Sequence, residues 1–188
     1  MATEEPAFVI VSHEGKFEVR DYPALVVAEV SVTGSRDDAS NAGFRLLAAY
    51  IFGANTRRQT IAMTAPVVQE RAGGETIAMT APVTQSGGDG AWVVRFTMPS
   101  KYTLGTLPAP NDARVRLVPI PPQRYAVVRF SGLARLDDVG RQTEDLRAFM
   151  KRQQLRAIGA PSLARYNPPW TLWFMRRNEI WIPTPGAR

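Results

Sequence analysis

LVVAEVSVTGSRDD at residues 25–38 and YAVVRFSGLARLDD at residues 125–138 show the same order of structural signals. Each begins with a run rich in β-branched residues, which favours a strand. A turn with Ser and Gly follows, and two Asp residues then suit the positive first turn of a helix. Strand-rich sequence follows each predicted helix, at 59–99 and at 163–183. The sequence therefore predicts an α+β fold, a largely antiparallel sheet or barrel with two helices packed on it.

The two helices are predicted from apolar residues at helical spacing. In the first, Ser35 is the expected N-cap, and Phe44, Leu47 and Ile51 share one face. Gly53 and Asn55 are expected to end this helix near residue 51. The second is predicted over residues 137–156, with Gly159 and Pro161 after it.

The heptapeptide IAMTAPV occurs twice, at 61–67 and at 77–83. Its apolar residues alternate in the manner of a strand, and Gly73-Gly74 between the copies is suited to a turn. We therefore expect two related strands in a β-hairpin. The Pro in each copy favours an edge position or a bulge. Only one copy is expected to be fully integrated in the sheet, and the other to lie at an edge near the ligand groove.

Composition limits the class of protein. The 188 residues suit a single domain spanning 1–188, with 45% apolar residues. No apolar run approaches the roughly 18 residues that span a bilayer. The acidic start MATEEP lacks the basic region of a signal peptide, so a cytoplasmic location is expected. The chain has no Cys, which excludes disulfides, iron–sulfur clusters and Cys nucleophiles.

The net charge of +6 comes almost entirely from Arg, because only Lys16, Lys101 and Lys151 are Lys. The Arg residues are scattered along the chain and form no cluster longer than a pair. Nucleic acid is therefore not expected as a partner. We expect a monomer.

Few residues are suited to catalysis. His13 is the only His and a weak candidate for a metal ligand. No G-x-S-x-G motif is present. Asp21 and Glu179 are the carboxylates considered for acid–base chemistry, and Glu179 is expected to be a structural partner of a nearby Arg. An enzymatic role is therefore less favoured than a binding role.

Soft apolar and aromatic residues stand near paired arginines. Arg57-Arg58 precede the strand with Met63, and Arg176-Arg177 follow the segment WTLWFM. An apolar groove beside guanidinium groups would suit a flat hydrophobic ligand with carboxylates, such as a tetrapyrrole. Alternatively, these Met and Trp residues form the core and the arginines are solvated.

Five segments resemble the SOUL family of haem-binding proteins. They are FEVRDYPA at 17–24, IFGAN at 51–55, IAMTAPV, FTMPSKY at 96–102 and ARYNPPWTLWFMRRNEIWIP at 164–183. The last is the most specific, and together the segments span nearly the whole chain. The resemblance implies a distorted antiparallel β-barrel with two flanking helices, built from two pseudo-symmetric β-α-β-β halves.

The resemblance also implies non-covalent binding of haem or another tetrapyrrole. One proposed mode uses an axial His after the FEVR-type motif, but that position here is Asp21. The other mode uses an apolar groove beside the first helix, with basic residues near the propionates and no iron ligand. The predicted groove residues are Phe44, Leu47, Ile51, Arg57, Arg58, Met63, Trp173 and Arg176.

Two other functions of the same fold stay open. The family resembles small-molecule sensor domains of the gyrase-inhibitor type, which bind varied apolar ligands. Some relatives act through protein partners, so a protein-interaction module that does not bind haem physiologically is the other alternative. Fold analogy alone does not choose between these ligands.

Overall fold

The computed structural model of this protein describes residues 4–71, 90–167 and 171–186. These residues include two α-helices, α1 (Arg36–Ile51) and α2 (Leu136–Arg152), and a 3₁₀ turn at Trp173–Met175. The strands in the described residues are β1 (Val9–Glu14), β2 (Phe17–Tyr22), β3 (Leu25–Gly34), β4 (Val67–Arg71), β5 (Gly90–Thr97), β6 (Arg116–Ile120), β7 (Gln123–Ser131), β8 (Ser162–Arg165) and β9 (Arg177–Thr184).

The described strands form one nine-stranded sheet in the order β1-β2-β7-β9-β8-β4-β5-β3-β6. Every strand pairing is antiparallel. The unit β3–α1–β4–β5 places its strands in the order β3-β5-β4, and β7–α2–β8–β9 places its strands in the order β7-β9-β8. The two units meet where β4 pairs with β8. The α+β fold with an antiparallel sheet and two helices is confirmed.

The predicted barrel is wrong, because the sheet is open. β1 and β6 each have one neighbour in the sheet and do not pair with each other, as a closed barrel would require. β6 contains Pro119, whose missing backbone N–H suits an edge strand. At the other edge, all six residues of β1 are exposed.

Each helix covers one half of the same face of the sheet. The first core, between α1 and strands β3 and β5, includes Val30, Leu47 and Phe96. The second core, between α2 and strands β7 and β9, includes Leu146 and Ile180. Burial of these apolar faces is what holds each helix on the sheet.

The helix boundaries agree with the sequence at three of four ends. Ser35 is the N-cap of α1, and its Oγ accepts a hydrogen bond of 3.2 Å from the Asp38 N–H. α2 ends at Arg152, four residues before the predicted end. Gln154 has a φ of 55°, and this left-handed conformation does not continue a helix. No helix in the described residues is long and apolar enough to cross a membrane.

The first IAMTAPV copy is not a strand over its whole length, so that prediction is wrong. Only Val67 belongs to β4, while residues 61–66 are irregular. Pro66 cannot donate a ladder hydrogen bond directly before β4. Ile61 is buried in the first core, and the Thr64 hydroxyl donates to the Thr97 carbonyl oxygen. The second copy, and with it the predicted hairpin and edge position, lies outside the described residues.

Candidate functional site

The face of the sheet without helices carries a buried charged network around Glu179. Strand alternation produces this face: Ile180 and Ile182 of β9 point into the second core, and Glu179 and Trp181 lie on the other side. The Glu179 side chain has no solvent exposure. Its donors are Arg20 Nη1 at 2.9 Å, Arg20 Nη2 at 3.1 Å, Arg177 Nη2 at 2.9 Å, Arg177 Nε at 3.1 Å, Tyr166 Oη at 2.7 Å and Trp181 Nε1 at 2.8 Å.

These donors keep Glu179 ionised. Burial raises its pKa, but the hydrogen bonds and charge of Arg20 prevail, with Trp181 and Tyr166 adding hydrogen bonds, and hold the pKa below the usual value. A carboxylate already accepting six hydrogen bonds has little capacity left to exchange protons with a substrate. The predicted structural role of Glu179 as a partner of Arg agrees with this geometry, which does not favour acid–base catalysis.

Asp21, at the position where one proposed binding mode would require an axial His, forms an ion pair in this chain. Asp21 accepts hydrogen bonds from Arg124 Nε and Nη2, both at 2.7 Å, and these contacts hold its pKa below the usual value. His13 lies exposed on the edge strand β1, opposite Glu18. The described residues contain no group of three or more His, Cys, Asp or Glu residues that could hold a metal ion.

A second ionic cluster lies on the same face in the other half of the sheet. Arg95 donates to Glu29 at 2.8 Å and also to Glu70, and Glu29 also accepts from Arg116. A cavity of about 100 Å³ between the halves is bounded by Glu70, Arg95 and an aromatic group. The aromatic group consists of Tyr22, Tyr125 and Trp181, with ring centroids 5.2–5.8 Å apart.

The structure buries part of the predicted groove. Leu47 and Ile51 are buried in the first core, so they support α1 and offer no surface to a ligand. Phe44 is partly exposed, and its ring meets Phe96 edge to face with centroids 5.3 Å apart. Met63 is half-buried and packs against the first core. Of the apolar groove residues predicted on or beside α1, Phe44 and Met63 therefore have surface that a ligand could contact.

The predicted arginines lie at two separate places. Arg57 and Arg58 are exposed beyond the C-terminal end of α1, where Arg57 Nη1 donates to the Thr106 carbonyl at 3.2 Å. Arg176 donates through Nε to the Thr171 carbonyl at 2.8 Å, and its charge acts on Arg165, which contacts the first turns of α1. Sixteen helical residues separate the ends of α1 by about 24 Å. The structure does not bring the two sets of arginines together.

The 3₁₀ turn and Leu172 directly before it, together called the exposed turn Leu172–Met175, expose four consecutive large apolar residues. Leu172 is 59% exposed, Trp173 59%, Phe174 55% and Met175 62%. The Trp173 and Phe174 rings meet edge to face at 5.7 Å. An open recess of about 490 Å³ beside Trp173 is lined also by Leu133, Arg135 and Gln142. The predicted Trp173 therefore faces the loop before α2.

Sequence reasoning did not select the residues at the contact between the start of α1 and strands β4 and β8. Arg165 Nη1 donates to Ser40 Oγ of α1 at 3.2 Å. Arg36 Nη2 donates to the Ala134 carbonyl at 2.8 Å, and Gln69 Nε2 donates to the Arg36 carbonyl at 2.7 Å. Arg36 stands in the motif at 25–38 and Arg165 ends β8, but only the pairing of β4 with β8 brings these elements together.

Residues 3–183 match the family described as SOUL heme-binding protein. The chain belongs to this SOUL family. None of the curated proteins matches it. Solved structures also share the fold, among them these two. The C-terminal domain of EcmrR is 11% identical with a TM-score of 0.63, over 91% of this chain and 98% of that one. A hydrolase from Listeria innocua is 14% identical with a TM-score of 0.62, over 90% and 92%. At these identities the likeness extends to the fold alone.

Proposed function

We propose that this SOUL-family protein binds a tetrapyrrole on the helix-covered side of the sheet, over the exposed turn Leu172–Met175, with no axial His. The observation that carries the proposal is the exposure of all four side chains of this turn. Soluble proteins seldom present such a contiguous apolar surface unless a ligand or partner covers it. A macrocycle is a flat apolar ligand that would cover the turn.

Charges around the turn suit a ligand with propionates. Arg176 directly follows the turn, and Arg135 lines the adjoining recess. Guanidinium groups form paired hydrogen bonds with carboxylates, so they would orient the polar edge of the macrocycle. Phe44 and Met63 would complete the groove on the α1 side. The ion pair of Asp21 and the position of His13 at the edge of the sheet support binding without an iron ligand.

Paired aromatic variants test the location. Trp173→Ser combined with Phe174→Ser should weaken haem binding at least tenfold, a loss of about 1.4 kcal/mol. Phe52→Ser is the matched control, because Phe52 is 61% exposed at the other end of α1. The control should bind haem with the affinity of the wild type. Equal affinity for haem in the double variant and the wild type, measured by Soret absorbance, would contradict this location.

A second candidate function is the sensing of a small cation in the cavity on the helix-free face. The aromatic lining and Glu70 would suit a quaternary ammonium group. The cavity volume of about 100 Å³ is well below the roughly 300–1,000 Å³ of ordinary ligand sites, so only a small ligand would fit without rearrangement. A saturable tryptophan fluorescence change with tetramethylammonium, lost in Glu70→Gln, together with no porphyrin binding, would favour this candidate.

A further inference from the structure

Arginines from three distant parts of the chain meet where the start of α1 lies against β8. Arg165 contacts α1 through Ser40 Oγ at 3.2 Å, and its Nη2 lies 3.5 Å from Asp37 Oδ1. Arg36 reaches the loop before α2 through the Ala134 carbonyl at 2.8 Å. The same loop holds Arg176, whose carbonyl oxygen accepts a hydrogen bond of 3.3 Å from the Gly132 N–H, and the charge of Arg176 acts on Arg165. Three guanidinium groups thus share one junction between the halves of the fold.

Two nitrogens at this junction have no hydrogen-bond partner among the residues that the structure describes. The Arg36 side chain is nine-tenths buried, and neither its Nε nor its Nη1 makes a hydrogen bond within the described part of the chain. The same holds for Gln69 Oε1. Leaving a charged donor buried and unpaired destabilises the fold, because the group loses its hydration without gaining a hydrogen bond. Native proteins avoid this cost, so these nitrogens imply a partner outside the described residues.

The charge balance indicates what kind of partner this is. Among the described residues, Asp37 is the acidic residue that contacts Arg36 and Arg165: its Oδ1 lies 3.5 Å from both Arg36 Nε and Arg165 Nη2, and its side chain is 73% exposed. Burial and then the positive charge of Arg36 hold the pKa of Arg165 below its usual value, with Asp37 acting in the opposite direction. The N-terminus of α1 adds further positive potential. A water molecule could accept the hydrogen bonds but would leave the excess positive charge of Arg36 and Arg165 uncompensated.

We infer that Arg36, Arg165 and Arg176 form a binding site for an oxyanion, a phosphate or carboxylate group held at the start of α1. Planar guanidinium groups bind such oxygens in pairs, and the dipole of α1 adds to the attraction. The site stands independently of the proposed tetrapyrrole, because phosphate alone would satisfy it. The oxyanion could be a free ion or the carboxylate of a larger ligand.

A phosphate titration tests the site. The thermal midpoint of the wild type is measured with increasing inorganic phosphate, at ionic strength held constant with chloride. At a tenfold excess of phosphate over its Kd, the midpoint should rise by about 3–6 °C. Arg165→Met should abolish the rise, and Arg165→Lys should keep part of it. Arg147→Met is the matched control, because Arg147 is exposed on α2 and bonds only Glu144 among the described residues; it should respond as the wild type does.

The thermal midpoint of Arg165→Met measured without phosphate separates an effect on binding from an effect on folding. Arg165→Met loses its contacts with α1 but relieves repulsion from Arg36, so without phosphate its midpoint should equal or exceed that of the wild type. A fall of more than about 4 °C would contradict this account of a like-charged cluster. No saturable rise in the wild type, or an equal rise in Arg165→Met, would overturn the site and leave water as the partner of Arg36.

A second arm identifies the source of the oxyanion. Protoporphyrin and its dimethyl ester are titrated into the wild type and Arg165→Met. A preference of the wild type for the free acid that disappears in Arg165→Met would assign the site to the carboxylates of the larger ligand. A preference that persists, together with loss of the phosphate response, would assign the site to a free anion.

Discussion

Replacing Glu179 with Gln should destabilise the fold severely, although the two side chains have nearly the same shape. Oε2 of Glu179 accepts from Arg20, Tyr166 and Trp181, and Oε1 accepts from Arg20 and twice from Arg177. An amide NH₂ would replace one oxygen. An NH₂ in the Oε1 position would face three guanidinium N–H donors, and in the Oε2 position it would face Arg20 and Trp181, because the Tyr166 hydroxyl can turn to accept; either way the site has no solvent exposure.

The size of the effect follows from the ion pair. Removing one partner of a buried ion pair costs about 3–5 kcal/mol, because the remaining charge stays buried without compensation. The bonds form one network, so their individual values are not added. For a chain of this length, the midpoint of thermal unfolding should fall by about 6–20 °C. Much of the roughly 5–15 kcal/mol that stabilises a typical domain would be lost.

Urea unfolding at pH 7, followed by tryptophan fluorescence, measures this free energy. Glu144→Gln is the matched control, since Glu144 is 70% exposed on α2 and pairs only with Arg147 in the described residues. The control should change the free energy of unfolding by less than about 0.5 kcal/mol. A free energy for Glu179→Gln within about 1 kcal/mol of the wild type would refute the reasoning.

The pH dependence gives an independent check on the same residue. The pKa of Glu179 is lower in the folded protein than its ordinary value of 4.5. Its ionised form therefore contributes stability above pH 4.5, and the contribution is lost as the pH falls through the folded-state pKa. The difference in stability between wild type and Glu179→Gln should be constant near pH 7 and should narrow below about pH 4.5. A difference that widens on acidification would contradict the assignment.

Two further predictions concern the helices. Gly43→Ala should destabilise the folded protein by about 1–3 kcal/mol, because a Cβ there would lie 2.6 Å from the buried side chain of Val94. Gly140→Ala in α2 should instead stabilise the folded protein by about 0.5–1 kcal/mol, because a Cβ there meets nothing within 4 Å. Urea unfolding measures both, and shifts of the same sign would be inconsistent with the packing of α1. Arg57 and Arg58 lie beyond the C-terminal end of α1, away from the exposed turn. Replacing both with Ala should therefore leave porphyrin affinity within about twofold of the wild type, which corresponds to about 0.4 kcal/mol. A selective loss of the free acid over its ester would instead place the carboxylates at Arg57 and Arg58.

The repeated strand–turn–helix signals could be recognised in the sequence because they are local. Ser35 and the acidic first turns mark the helix starts, and β-branched runs mark β3 and β7. Whether the sheet closes into a barrel is not encoded by local sequence signals. It depends on whether β1 and β6 meet, and no pattern within either strand encodes that distance. The repeated signals at 25–38 and 125–138 indicated two similar halves, and the resemblance to the SOUL family implied the same topology together with the incorrect closed barrel.

The candidate site was only partly predictable for the same reason. Trp173 and Arg176 stand in an unusual sequence string, so they could be selected before the structure was known. Leu47 and Ile51 follow the helical period equally well as core or as groove residues, and the structure buries them. Arg36 and Arg165 are 129 positions apart in the sequence, and only the β4–β8 pairing brings their elements together.

The most direct test of the central claim compares haem with metal-free protoporphyrin. If apolar contact and guanidinium groups hold the macrocycle without an iron ligand, both should bind with affinities within about threefold, a difference of about 0.65 kcal/mol. His13→Ala should leave the Soret band of the haem complex unchanged. Titrations followed by Soret absorbance and by quenching of tryptophan fluorescence give both affinities. Absence of binding by both ligands at micromolar concentrations, or a Soret shift abolished by His13→Ala, would contradict the account.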